Sequence, residues 1–242
     1  MSTTWRGRAA ARHHVRVTGW PSTPAELVAE QQRLAVTRVE PWRPVDECLI
    51  GGCFVCFPRG GHGPGGAGDR AWAAAAAGGE VVIVEGAAGA AYEAGLLALR
   101  EGALLELAVR ALRAAPDVLL VNATGRDHPR RAGLATHLGA MLGLPTVGVT
   151  HRALVAHGDR PSDEAGGRSP LLLDGECVGA WLRTRPGTRP LAVHAAWRTD
   201  PDVAVRVVLA ATRGARTPVP LRAARRAARS ARAATCSAAV GD

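Results

Sequence analysis

Apolar positions along the chain recur with two different periods, and the change from one to the other divides it into elements. Leu27, Val28, Leu34, Ala35, Val36 and Val39 follow Thr23 at helical spacing, with Thr23 suited to an N-cap and Pro41 as a stop. Three extended segments come next: Cys48 to Phe57, the small-residue run Ala71 to Ala77, and Glu80 to Gly86. They read as an antiparallel meander, in which the β-branched run Val81 to Val84 favours a buried strand. The Gly/Pro stretch Arg59 to Gly68 lacks the Lys-Ser/Thr pair and the helix that a phosphate loop requires, so a hairpin tip is expected there.

Beyond the meander the period alternates. Leu96, Leu99, Ala103, Leu107 and Leu112 predict a helix over 95–113, closed by Pro116. Val118 to Val121 is a short apolar run of strand length, followed by a helix over 130–142 and a strand over 146–149. Leu171 to Leu173 and Val178 to Arg183 flank Asp174-Gly175, a hairpin turn signal. Leu191 to Ala195 adds a strand and Asp202 to Thr212 a helix. The Arg/Ala-rich stretch 222–235 favours helix, but its last part has little to bury. A meander followed by alternating helices and strands predicts an α/β fold with a mixed sheet flanked by helices, of the ribonuclease H-like kind, although element order alone leaves other α/β folds open.

Composition sharpens the picture. The 242-residue chain is long enough for one large domain and carries a formal net charge of +9. All 30 of its basic residues are arginine, whose planar, permanently charged fork suits phosphate oxygens, so nucleic acid leads the partner classes. Residues 1–19 read as a basic tail, 20–226 as the folded domain and 227–242 as a C-terminal tail. The basic N-terminus has no apolar core of the signal-peptide kind and no run of about 18 apolar residues occurs, so a cytoplasmic protein without membrane contact is expected. A monomer is expected. The 5 cysteines are unevenly spaced, which points to reduced thiols rather than a disulfide framework. Cys53 and Cys56 would face opposite sides of a strand, which argues against a redox pair.

One segment is more specific than any of this. Val121-Asn122-Ala123-Thr124-Gly125-Arg126-Asp127-His128-Pro129-Arg130-Arg131 runs into Ala132-Gly133-Leu134 and a helix, then into Leu144-Pro145-Thr146-Val147-Gly148-Val149. Upstream stand Tyr92, Gly95-Leu96-Leu97 and Arg100-Glu101; further matching positions are Gln31-Gln32-Arg33-Leu34-Ala35, Pro170-Leu171, Gly179, Arg183-Thr184 and Pro218 to Arg222. In these motifs the chain resembles the endonuclease V family over roughly residues 20–226.

The resemblance implies a ribonuclease H-like fold and Mg²⁺- or Mn²⁺-dependent cleavage of a phosphodiester near deoxyinosine in DNA or inosine in RNA. It places Glu101 at a catalytic, metal-holding glutamate. Cys53 and Asn122 fall where the family has metal-binding aspartates, His151 falls on the catalytic lysine and Trp197 on a late histidine. Tyr92, Gly95, Leu97, Gly125, His128, Gly133 and Gly148 fall on the base pocket and wedge, and Arg130 and Arg131 on a helix start suited to phosphate contact. The family's Pro-Tyr-Ile-Pro wedge reads Ala91-Tyr92-Glu93-Ala94 here, and Ala123 replaces a pocket glycine. An amide and a thiol supply neither the charge nor the ligand type of two aspartates, so Mg²⁺ should bind weakly. His128, His137, His151, His157 and His194 with Cys53 form the alternative donor set for a softer metal. Two readings stand at this point: a divergent nuclease with weak metal-dependent cleavage, and a pseudo-nuclease that binds nucleic acid, including deaminated nucleic acid, without cutting it.

Overall fold

The computed structural model describes residues 19–58 and 65–238. The expected N-terminal tail through residue 18 and residues 59–64 of the expected hairpin tip lie outside the described residues. Helix α1 (Pro24–Val36) starts at Thr23 with a full capping box, in which the Thr23 side chain and Glu26 satisfy each other's backbone N–H groups. The meander follows as β1 (Ile50–Cys56), β2 (Arg70–Ala77) and β3 (Glu80–Ala87). Then come α2 (Leu97–Arg110), β4 (Val118–Val121), α3 (Leu134–Leu142), β5 (Thr146–Thr150), β6 (Arg168–Leu173), β7 (Glu176–Leu182), β8 (Leu191–Ala195), α4 (Pro201–Ala210) and α5 (Val219–Ala238).

The strands form one sheet in the order β3-β2-β1-β4-β5-β8-β7-β6. β1, β4 and β5 are parallel to one another and the remaining pairings are antiparallel, so the sheet is mixed, as the alternation of elements predicts. Helices cover both faces. Leu27 of α1, Leu104, Leu105 and Ala108 of α2, and Leu134 and Leu138 of α3 pack on Cys53, Ala73, Leu119 and Val121. On the other face α4 packs on Val118, Leu120, Val147 and Val193, and α5 on Phe54, Trp72 and Ala74. The alanines of β2 leave room for a helix on each side of the same strand.

Three expectations change. β3 is an edge strand whose residues alternate in exposure, with Val81 and Ile83 more than two-fifths exposed; β-branching favours a strand but cannot say whether a second strand will cover it. The helix expected from residue 130 starts at Leu134, because Arg131 takes a left-handed conformation (φ 57°) in the preceding turn. Residues 227–238 of the expected C-terminal tail are instead the second half of α5, where Ala228 is fully buried, and residues 239–242 lie outside the described residues. Small alanines suffice here because the helix lies close on the strands, a contact the sequence pattern does not reveal. Asp174 and Gly175 do form the expected tight hairpin, both with positive φ. Among the described residues no helix is long and apolar enough to cross a membrane.

The α5 contact generates a test. Ala228→Asp would press a carboxylate against Phe54, Trp72 and Ala74, and urea denaturation should show a loss of about 1–3 kcal/mol, with Arg225 one turn back offsetting part of the cost. Ala227→Asp, at a half-buried position on the same turn, should cost clearly less.

Candidate nucleic-acid site

The chain crosses the carboxyl ends of β4 and β5 in a loop (122–133) whose backbone is pressed against its neighbours. A Cβ on Gly125 would lie 2.2 Å from the Ala195 carbonyl oxygen, and one on Gly148 would lie 2.4 Å from that of Ala123. Neither position can carry a side chain without moving backbone. Gly133 meets the Thr124 carbonyl in the same way. These three glycines set the walls of the site from behind rather than lining it.

In front of them opens a cleft of about 180 Å³, bordered by Tyr92, Leu97, Asn122, Thr124, Thr150 and Leu154. Gln31, Gly95, His128 and Leu134 also reach it. Drug-sized ligands occupy roughly 300–1,000 Å³, so this space suits one base rather than a nucleotide. Tyr92 stands half exposed at its rim.

One acceptor organises the cleft. The carbonyl oxygen of Gly95 accepts from Gln31 Nε2 (3.0 Å), His128 Nε2 (3.1 Å) and Arg130 Nη2 (2.9 Å). Arg130 also donates through Nε to Gln31 Oε1 (2.6 Å), closing a ring of contacts between α1, the segment before α2 and the β4–α3 loop. The Arg130 backbone N–H donates to His128 Nδ1 at 3.1 Å, so the ring is the Nε2–H tautomer that can donate to Gly95. Burial pushes the His128 pKa down to about 4, in keeping with a neutral ring.

A second anchor holds the opposite wall. Fully buried Asp127 accepts from the backbone N–H groups of Leu154 (2.7 Å), Val155 (2.9 Å) and Ala156 (2.7 Å). His194, lowered below its usual pKa by burial, stands 3.4 Å from the Asp127 carboxylate and contacts Thr150 Oγ1 through Nε2 at 2.8 Å. Asp127 thus fixes the segment that brings Leu154 to the cleft. The motif gives Asp127 no role by itself, because its three amide partners lie about thirty residues downstream and no local signal links them.

Beside the cleft lie the groups expected at a metal. Cys53 in β1 pairs with Val121, the last residue of β4, and Asn122 follows directly. The Cys53 thiol is buried, and burial together with the nearby Glu101 carboxylate drives its ionisation far upward. Burial raises the Glu101 pKa to about 7, against a lesser opposing effect of Arg100. The Asn122 amide oxygen accepts from Arg225 Nη2 at 3.3 Å. A buried thiol and an amide already in contact with a guanidinium, beside a single carboxyl, do not fit a hard divalent cation. Nor do the histidines considered for a softer metal gather there: His137 stacks on Trp20, His194 pairs with Thr150, and among the described residues no three His, Cys, Asp or Glu side chains are grouped to hold a metal.

Other expected residues part company. His151 follows β5 at the same end of the sheet, exposed, with its pKa lowered by partial burial and by Arg216 and Arg225. Trp197 does not join it. β8 runs antiparallel to β5, so residues after Ala195 return to the opposite end, where the Thr146 N–H donates to the Trp197 carbonyl and the indole packs on Leu34, Ala132 and Ala140. Trp197 therefore does not border the cleft. Arg130 is committed to Gly95 and Gln31, and Arg131 to Glu176, Asp174 and the Leu173 carbonyl, so neither guanidinium is presented freely at a helix start. The exposed positive charge lies elsewhere. Next to His151 opens a broad basic cleft of about 560 Å³ bordered by Arg152, Arg160, Arg183 and Arg189, with Asp163 as its acid. Arg160 lies 3.8 Å over the Trp181 ring.

Comparison with known proteins agrees with this architecture. A model of the Endonuclease V family matches residues 74–226. An Endonuclease V of Roseiflexus sp. (strain RS-1) is 42% identical over 133 residues, which is 55% of this chain and 60% of that protein. The match therefore spans about three-fifths of that relative's length. The crystal structure of an Endonuclease V from Streptomyces avermitilis superposes with a TM-score of 0.75 at 33% identity, covering 88% of this chain and 94% of that one. A Ciona intestinalis Endonuclease V, crystallised with DNA containing an inosine followed by a ribo-adenosine, shares the fold (TM-score 0.73, 19% identity) over 87% of this chain and 97% of that one. From the family match, and with the ribonuclease H-like α/β fold that its solved members share, the chain belongs to the endonuclease V family.

Proposed function

We propose that this protein binds nucleic acid containing a deaminated base, and that metal-dependent phosphodiester cleavage is weak or lost in it. The observation that carries the reading is a contrast within one site. The single-base cleft is held by seven hydrogen bonds, four centred on Gly95 and Arg130 and three on Asp127. The adjoining strand ends offer a buried thiol and an amide engaged by Arg225, with Glu101 as the one carboxyl.

The residues of the cleft account for recognition. A flipped base would enter past Tyr92, whose ring can stack on a base or fill the gap that the base leaves in the strand. The fixed backbone around Gly95, Asn122 and Thr124 supplies polar edges at set positions, so discrimination requires little rearrangement on binding. The Ciona complex with inosine-containing DNA favours the same class of ligand for this chain. Arginines 152, 160 and 189 add a charged surface for the flanking strand, DNA or RNA. In relatives that cleave, a bound Mg²⁺ or Mn²⁺ would activate water and neutralise the leaving oxygen; the strand-end groups of this chain are not suited to hold such an ion.

Fluorescence anisotropy in EDTA should show tighter binding of an inosine oligonucleotide than of its guanosine counterpart. Tyr92→Ala should weaken inosine binding by about tenfold, the scale of one lost base–aromatic stack. The same inosine substrate incubated with Mg²⁺ or Mn²⁺ should yield no product; cleavage that disappears in Glu101→Ala would overturn the loss of chemistry.

Glu101 gives a separate, thermodynamic prediction for metal-free protein. Its folded pKa of about 7 lies above the reference 4.5, so the folded state holds the proton more tightly. Its contribution to stability is complete below pH 4.5 and is lost as pH rises through 7. Glu101→Gln should therefore match the parent in melting temperature near pH 4.5 and exceed it by pH 8, by about 2 kcal/mol after discounting ~1.4 kcal/mol per unit for residual solvent contact. Equal melting curves at both pH values would show that Glu101 is well solvated.

A further inference from the structure

The contact between Arg225 and Asn122 has no counterpart among the expected site residues. Arg225 lies on α5, one position past the fully buried Ala224, and this turns its side chain along the sheet toward the end of β4. Its guanidinium carbon lies 5.2 Å from the centre of the Phe54 ring, and Nη2 reaches Asn122 Oδ1 at 3.3 Å. Nε is buried and has no hydrogen-bond partner among the described residues.

The surroundings make this charge unusual. Burial and the like charges of Arg229 and Arg216 work together to lower the Arg225 pKa from its ordinary value. Arg229 also approaches Phe54, at 5.7 Å from the ring centre, and Arg216 and Arg225 both act on His151. Among the described residues neither Arg216, Arg225 nor Arg229 takes part in an ion pair, whereas ten other arginines do. Placing a guanidinium half inside the protein, among other cations and without a carboxylate, is costly unless an anion completes the site.

We propose that Arg225, assisted by Arg229 and Arg216, forms an anion site at the ends of β1 and β4 that binds a backbone phosphate of the nucleic acid without a divalent metal. The guanidinium stands in contact with the very residue that would otherwise hold a cation between protein and phosphate. The Arg225 guanidinium offers terminal N–H groups to phosphate oxygens, while the buried, unpartnered Nε marks how incompletely the protein alone satisfies the charge. Asn122 borders both this site and the base cleft, so the phosphate engaged is one adjoining the extruded nucleotide. The inference rests on the nucleic-acid reading above and adds the group that grips the strand. A further consequence is that aspartate restored at position 122 would pair with Arg225 in preference to a metal.

The test uses the full chain and two single-stranded oligonucleotides of equal length, one with inosine and one with guanosine, titrated in EDTA at several salt concentrations. Arg225→Gln should weaken both probes by about tenfold, as expected for one charge-assisted contact, and lower the slope of log K against log salt by about one. Added Mg²⁺ should not tighten binding of the parent protein. Unchanged affinity and slope in Arg225→Gln, or parental binding that requires Mg²⁺, would overturn the anion site. Loss of inosine preference with the Arg225 effect intact would count against the base-binding reading alone.

A second measurement is independent of the nucleic acid. Mn²⁺ binding, followed by electron paramagnetic resonance, should be weak in the Cys53→Asp/Asn122→Asp variant and at least tenfold tighter once Arg225→Gln is added. Equal Mn²⁺ affinity with and without Arg225 would show that the guanidinium does not occupy the cation's place. Should Arg225→Gln alone fold poorly, this triple variant, with its folding checked by circular dichroism, decides the question.

Discussion

The base cleft depends on one carbonyl. Three side chains from α1 and the β4–α3 loop converge on the oxygen of Gly95, which a positive φ (81°) turns toward them. A carbonyl has two lone pairs, so three donors, one of them a charged guanidinium, form a crowded and polarised cluster. Its effect is to fix the segment carrying Tyr92 relative to the loop carrying Asn122 and Thr124. Asp127 does the same for the opposite wall through three backbone amides. The cleft is thereby formed before any ligand arrives, and the entropy of ordering it has been met by folding.

The strand ends follow a different logic. Crowded carboxylates at the ends of parallel strands repel one another and become stable when a cation neutralises them. Here that negative charge is reduced to Glu101, which burial turns toward its protonated form, and positive charge enters from α5. In our proposal the local electrostatics calls for an anion where carboxylates would call for a cation. Our proposals for function and for the Arg225 site are two consequences of this single reversal. The cleft and the strand ends share Asn122, which links the two proposals.

Much of this was legible in the sequence. Strand and helix periods, Thr23, Pro41, Pro116 and Asp174-Gly175 mark elements through short-range physics: capping, forbidden φ values and alternation of buried faces. The run from Asn122 to Gly133 carries the resemblance through its residue types and their order, although Gly125 answers to the distant Ala195 carbonyl and His128 and Arg130 to that of Gly95. The thiol of Cys53 and the amide of Asn122 were equally visible, since the chemistry of a side chain is independent of the fold. That β3 would be an edge strand was not visible, because its residues look the same with or without a neighbour.

Tertiary structure decided which charges matter. Arg222, Arg225, Arg226, Arg229 and Arg232 are near-equivalent in an Arg/Ala repeat, and only the rotation of α5, fixed where Ala224 and Ala228 pack against β1 and β2, sends Arg225 to Asn122. The same holds in reverse for Arg130 and Arg131, which adjoin the motif but spend their donors within the protein, and for Trp197, which the antiparallel course of β8 carries to the far end of the sheet. The sequence by itself determined the family, the elements and the presence of a thiol at Cys53 and an amide at Asn122, because those rest on residue types and their order. The identity of the charge that faces the site was settled by packing alone, since a helix presents a different residue every 100° and long-range contacts choose among them.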